Sequence, residues 1–469
     1  MTDARGVITA SNIVFVRLSR FSFQQLLGAP HNIIRHPSMP GGAFKLMWDA
    51  LNDLQPFCAY VNNLAADGST YSVFATITPL GDDAYLSVRC RPQRADLRQA
   101  ADSLYEATVA VEQAARQDGK SAHQAAVIGA DHLDELLAGA GFSGIEDFMN
   151  TALPAEMAVR LANPTNLAAE PGTDEDGHLL ARAIDLSVAL QQWLGHQAVL
   201  DDVVAHLAAT VPQLRKSLAD ALSDGRQIQA SATSGFDPFM VWIDLWAVMM
   251  DGLDQVLRDL ETALDELRLS CQRAGFRVSL AALHTEAVAQ FAQESADLED
   301  ALGYEEHDRI AALHLLRQAL AEGIAMTRQH VEQNIALADK TLEAVAFAHD
   351  LIQVPREVLS NWQSSATDQP SELAAQVVEQ VNRTDQLMGL LDTLSQQISA
   401  ITGQTPNASV DIALAAVLEC MDAMDAPSES APRERSRRRR TPKAKTTFMW
   451  PDGASPKKNA ALVPSLPRV

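Results

Sequence analysis

The residue types best suited to binding chemistry stand together in Gly28-Ala29-Pro30-His31-Asn32-Ile33-Ile34-Arg35-His36-Pro37-Ser38-Met39-Pro40. Pro30 and Pro37 bracket the Arg35-His36 pair, and Pro37 biases His36 away from the helical region, so the spacing predicts a fixed, non-helical loop. A stiff loop offering a guanidinium beside an imidazole suits an anionic or aromatic ligand. No nucleophile–base pair and no glycine-rich phosphate loop accompanies it. Cys58, Cys90, Cys271 and Cys420 are scattered without metal-ligand spacing and read as small buried apolar residues of a reducing compartment. Glu305-Glu306-His307-Asp308 carries metal-ligand types, but such a cluster at a helix turn ordinarily faces solvent. The chemistry on offer is binding, and no enzyme is expected.

Positioning that loop requires a scaffold on both sides of it. Short alternating or β-branched runs lie at 6–9, 13–18, 58–64, 70–78 and 84–89, with a helical segment at 41–54. Asp67-Gly68 and Gly81-Asp82-Asp83 supply the turns between the last three runs. The N-terminal unit, 5–93, is thus expected to be α+β: a five-stranded antiparallel sheet with short helices and a pocket on its helical side. Helical periodicity then takes over. A helical linker or bundle region covers 94–235, broken by Gly139-Ala140-Gly141 and by the acidic linker Glu170–Gly177. In 236–424 the residues Leu253, Leu257, Leu260, Leu264, Leu267 and Cys271 repeat with heptad spacing. A second seam runs Val331, Ile335, Ala338, Leu342, Val345, His349, Ile352. With a turn near Leu302–Asp308, the two seams predict a long coiled-coil hairpin that pairs with another in a homodimer. Further amphipathic stretches cover 371–403 and 408–424.

The N-terminal stretch resembles a known family. Gly6-Val7-Ile8-Thr9 and Asn12-Ile13-Val14-Phe15 precede the Arg-His-Pro loop, and Phe44-Lys45-Leu46-Met47-Trp48 follows it. Over roughly 5–93 this order resembles the PAS domain of the bacterial aerotaxis-receptor type. The resemblance implies a signal-transduction protein that holds FAD noncovalently and senses redox state or oxygen. It places the cofactor-binding positions on Asn12, Arg35, His36, Trp48 and Asn63. Arginine can pair with phosphate, tryptophan can stack, and either asparagine can hydrogen-bond a ring edge. The chain departs from the pattern at Ser38, where the family has an acidic residue, at Phe57 for a tryptophan, and at Asn62-Asn63-Leu64 for Lys-Asn-Arg. Haem is the alternative cofactor, with His31 or His36 as axial ligand. A protein signalling partner is implied, with a chemotaxis-type kinase assembly as its class. The segment Phe276–Glu286 is faintly similar to the kinase-contacting tip of chemoreceptors, without its alanine- and asparagine-rich sequence. The rival reading is a scaffold or adaptor whose PAS unit serves only dimerisation or docking.

Charge separates the body of the chain from its end. The net charge is −23, yet Pro432–Val469 holds eleven Lys/Arg against two Asp/Glu, a net of +9, which leaves −32 for the rest. An acidic body argues against a nucleic-acid partner. The residues from 427 onward are expected to be a disordered basic tail, with Phe448-Met449-Trp450-Pro451 as a docking peptide. The most apolar window, Phe239–Met250, is too short to span a bilayer and contains Asp244. With no apolar signal region at the start, the expected location is the cytoplasm.

Overall fold

The computed structural model describes residues 1–81, 84–162, 174–231, 238–298, 306–365, 371–402 and 408–425. Strand β1 (Thr2–Asp3) is followed by helices α1 (Ile13–Ser19) and α2 (Phe23–Leu26), a 3-10 turn (His31–Ile34) and α3 (Gly41–Asn52). Strands β2 (Phe57–Leu64), β3 (Thr70–Leu80) and β4 (Ala84–Cys90) complete an antiparallel sheet of order β1-β4-β3-β2. All later elements are helices: α4 (Ala95–Gln117), α5 (Ala122–Gly139), α6 (Ile145–Ala162), α7 (Glu175–Ser231), α8 (Pro238–Leu298), α9 (Glu306–Ser365), α10 (Ser371–Thr402) and α11 (Ala408–Asp425). The fold is α+β followed by a long helical region.

The sheet has four strands among the described residues, not the expected five. Residues 6–9 contribute only isolated bridges, Thr2 to Ile8 and Val7 to Pro30. Residues 13–18, read as a strand from their β-branched content, form α1 instead. Asn12 decides that outcome, because its side chain accepts from the backbone N–H of Phe15 as an N-cap. The Arg-His-Pro loop is not wholly irregular either, since a 3-10 turn over His31–Ile34 leads into the extended Arg35.

Strand register sorts the side chains onto two faces. Asn63 pairs with Tyr71, Val61 with Val73, Ala75 with Arg89 and Ile77 with Ser87, so these residues share the inner face. That face meets the N-terminal segments: Phe15 of α1 lies against Arg89, and Trp48 of α3 against Tyr85. The opposite face meets the helical region. There Tyr60 Oη donates to the buried Glu156 of α6 at 2.7 Å, Asn62 donates to Asp102 of α4, and Thr78 meets His284 of α8 at 3.2 Å. Glu156 also accepts from the backbone N–H groups of Gln93 and Arg94, which start α4. One buried carboxylate thus ties sheet, α4 and α6 together.

Helix α3 is fixed by a carboxylate from another helix. Pro40 offers no capping side chain, and Glu112 of α4 accepts from Gly41 and Gly42 at 2.8 and 2.6 Å. Gly42 is required by contact, because a Cβ there would lie 2.4 Å from the backbone of Gly129 and Ala130.

The long helices form one bundle. α7, α8, α9 and α10 each pack on the next, and α10 closes against α7. One core cluster joins Leu257, Leu260, Leu264, Leu267 and Cys271 to Leu200 and Leu214 of α7, Val345 and Ile352 of α9, and Leu391 and Ile398 of α10. The heptad seam is therefore buried within a single chain, and a second hairpin is not needed to cover it. Nearer the sheet α11 takes the fourth place, packing on α7 and α9. Parts of the Glu170–Gly177 linker and the Leu302–Asp308 turn, and the whole basic tail with its Phe448-Met449-Trp450 cluster, lie outside the described residues.

Candidate functional site

A cavity of about 190 Å³ lies between the inner sheet face, the N-terminal segments and the bundle. β1 pairs only with Ala84 and Tyr85 of β4, so the following residues, Leu86–Arg89, border the cavity. Ile8, Ser11, Asn12 and Phe15 form the N-terminal wall, His31 lies at the loop side, and Tyr71 and Val73 of β3 join Ser87 and Arg89 of β4. Phe291 and Gln290 of α8 with Leu316 of α9 form the remaining wall. The α-amino group of Met1, also in the lining, donates to Ala10 O at 2.8 Å and is pushed down to about 5 by burial and by Arg89.

Donors accumulate on this face without acceptors. Asn63 Nδ2, Tyr71 Oη, Ser87 Oγ and Arg89 Nε are buried atoms with no hydrogen-bond partner among the described residues. Each such atom carries a desolvation cost of about 1–3 kcal/mol, and native interiors leave few of them. Burial raises the pKa of Tyr71 and lowers that of Arg89, and their mutual attraction opposes both shifts.

The positions expected from sequence are distributed around this cavity. Asn12 lines it, with its side-chain oxygen engaged in capping α1. Arg35 lies outside the lining: its Nη2 donates to Met39 O at 2.9 Å and its guanidinium sits 4.3 Å over the Phe44 ring. Its backbone bridges to Asn63, which is 2% exposed. His36 Nδ1 contacts Ser38 Oγ at 2.7 Å, so the serine standing for the family's carboxylate is bound to the loop's own histidine. Trp48 packs edge-on against His31 and Tyr85 at 5.6 and 5.7 Å. His31, whose Nδ1 lies 3.2 Å from Gly6 O, is shifted down chiefly by burial. Asn12 and His31 thus reach the cavity, Trp48 backs His31, Asn63 shares the face, and Arg35 and His36 serve the loop. Tyr71, Ser87 and Arg89 were not singled out from sequence. Their signal is the period-2 spacing that puts an arginine among inward-facing strand positions.

A planar ligand edge rich in acceptors fits these donors. A flavin ring system has such an edge of carbonyl oxygens and ring nitrogens, so the donor set suits it. The volume lies below the usual range of about 300–1,000 Å³ for ligand pockets, leaving room for a ring-sized group rather than a whole dinucleotide. Among the described residues no cluster of metal-ligating side chains is present. No helix among them is long and apolar enough to cross a membrane.

No family model matches the chain. Over 110 residues it is 36% identical to the aerotaxis receptor of Escherichia coli (strain K12), covering 23% of this chain and 22% of that protein. Over 80 residues it is 35% identical to the nitrogen fixation regulatory protein of Klebsiella pneumoniae, covering 17% and 16%. The protein of the same description from Klebsiella oxytoca is 32% identical over 80 residues. The chain spans about a fifth of the length of the curated relatives it matches. Short likenesses to a receptor and to a regulator, joined to the sheet and helices above, mark a PAS-related region in the chain.

Proposed function

We propose that the chain is a PAS-type sensor that holds the flavin of FAD in the sheet-side cavity and relays its state through α7–α11 to a protein partner. The observation that carries this reading is the group of unpaired donors on the inner sheet face, Asn63, Tyr71, Ser87 and Arg89. In this reading Tyr71 and Ser87 donate to ring acceptors and Phe15 and Val73 exclude water. Trp48 keeps His31 in place at the cavity wall. Bound flavin would supply a redox-active ring whose charge and protonation change with its oxidation state. A chemotaxis-type kinase assembly is the partner class that the resemblance to an aerotaxis receptor implies, and a cytoplasmic, reducing location suits a redox sensor. The relay route begins where α8 and α9 border the cavity, since a change in its contents meets Phe291 and Leu316 directly.

The test is an absorbance spectrum of the purified full chain with flavin released by denaturation. Yellow protein with stoichiometric FAD is expected, before or after reconstitution. Tyr71→Phe and Ser87→Ala each remove one donor with little change of volume and should weaken binding by about threefold to tenfold. Trp48→Ala should lower occupancy further. A fold that stays colourless with added FAD removes the sensor reading and leaves the scaffold. A Soret band instead of a flavin spectrum assigns the cavity to haem.

A further inference from the structure

Among the described residues Arg89 has no carboxylate in ion-pair contact with its guanidinium and no hydrogen-bond partner for its Nε. The guanidinium lies over the Phe15 ring, 5.1 Å from the centroid. No Asp or Glu stands among the described residues lining the cavity, although the chain holds 60 acidic residues against 37 basic ones. Arg35, which lies outside the lining, shows the contrast. It donates to Met39 O, stacks on Phe44 and feels the charge of Glu112. The chain satisfies Arg35 and does not satisfy Arg89. Arg89 is half-buried, and its buried Nε left without an acceptor is unfavourable, so a neutral residue would fill β4 at lower cost. Neighbouring donors compound the deficit, because Tyr71 Oη and Ser87 Oγ also need acceptors.

We infer that the cavity receives an anionic group of its ligand against Arg89, with Tyr71 and Ser87 donating beside it. The inference deepens the flavin reading and borrows from it only the identity of the ligand. A phosphate and an ionised ring edge share the required chemistry. Arg89, rather than the Arg35 of the proline-bracketed loop, is then the anchoring cation. Acidic groups elsewhere repel an anion at long range, so the carboxylate-free lining is what lets this site accept one.

The experiment uses the full chain as wild type, Arg89→Met and Arg89→Lys, with inorganic phosphate, riboflavin and FMN as probes. Melting temperature and flavin-fluorescence titration are the readouts. Arg89→Met should melt no lower than wild type in phosphate-free buffer, because Arg89 has no ion-pair partner among the described residues to lose and its buried Nε is unpartnered. It should bind at least one of the three probes tenfold or more weakly, and Arg89→Lys should recover part of that loss. A loss confined to FMN and phosphate places the anion on a phosphate, whereas an equal loss for riboflavin places it on the ring. If no probe depends on Arg89, or if phosphate raises both melting temperatures alike as an adventitious ion only, the inference is overturned. If phosphate binding depends on Arg89 while no flavin binds at all, the flavin reading falls and the anion site stands.

Discussion

His284 shows how one buried side chain joins the sheet to the bundle. It lies on α8 at 1% exposure, and its Nε2 is 3.2 Å from Thr78 Oγ1 of β3. Burial lowers its pKa from 6.5 to about 4, partly offset by a hydrogen bond with the backbone of Ala319. The unfolded chain therefore binds a proton at this site between those two values while the folded chain does not. Stability is fully present above pH 6.5 and is lost as pH falls towards 4, by up to roughly 3 kcal/mol from this residue. His31 is shifted in the same direction by burial, so wild-type protein should show a slope steeper than one histidine produces. His284→Gln keeps a polar partner for Thr78 and removes the titration. Urea midpoints measured at steps from pH 7 to pH 4.5 should fall less for His284→Gln than for wild type. Identical slopes would mean that the ring is solvated and that the contact between β3 and α8 is not closed.

Elements were legible where local chemistry and tertiary packing agree, and obscure where packing decides. The runs 58–64, 70–78 and 84–89 fall on β2, β3 and β4 because turn residues bound them, and 41–54 falls on α3. The run 13–18 misled because Ile13, Val14 and Val16 favour strands, while the Asn12 cap started a helix. Around the candidate site, Asn12, Trp48 and Asn63 are singled out by the family resemblance and not by residue type. Arg89, Tyr71 and Ser87 could not be picked out, because only strand register brings them onto one face. Glycines show the same divide. Gly139-Ala140-Gly141 read correctly as a helix end, but nothing local tells that Gly42 is pressed against α5. A Cβ at Gly42 would come within 2.4 Å of the Gly129 carbonyl carbon and of Ala130 N, both backbone atoms that cannot turn aside. Gly42→Ala should therefore cost about 2–3 kcal/mol by overpacking and weaken any ligand held near Trp48. Gly195, in the middle of α7, has nothing within 4 Å of such a Cβ, so Gly195→Ala should add about 0.5–1 kcal/mol. Chemical denaturation of the two variants should move in opposite directions. A stabilised Gly42→Ala would contradict the close approach of α3 and α5.

At the scale of the whole molecule, the question is what covers the heptad seam of α8. A 4-3-4-3-4 pattern specifies an apolar stripe and says nothing about whose helix completes it. Here the partners are in the same chain. Leu257, Leu260 and Leu267 are fully buried among side chains of α7, α9 and α10. Arg215 of α7 pairs with Glu261 of α8 at 2.8 Å, and Gln197 of α7 donates to the buried carbonyl of Cys271 at 2.9 Å. Those contacts fix α7 against α8 without a second chain. Any homodimer must then use another surface, and its formation is separable from bundle stability. Leu260→Asp places a carboxylate at a site with 0% exposure, costing several kcal/mol if it stays charged and unpaired. The seam is internal, so that loss should be the same at every protein concentration. Wild-type melting temperature should likewise stay constant across a hundredfold dilution, because mass action shifts only those transitions that couple unfolding to dissociation. Differential scanning calorimetry with light scattering at each concentration makes both measurements. A wild-type melting temperature that falls on dilution, with Leu260→Asp monomeric and otherwise folded, would return the seam to an interface between chains.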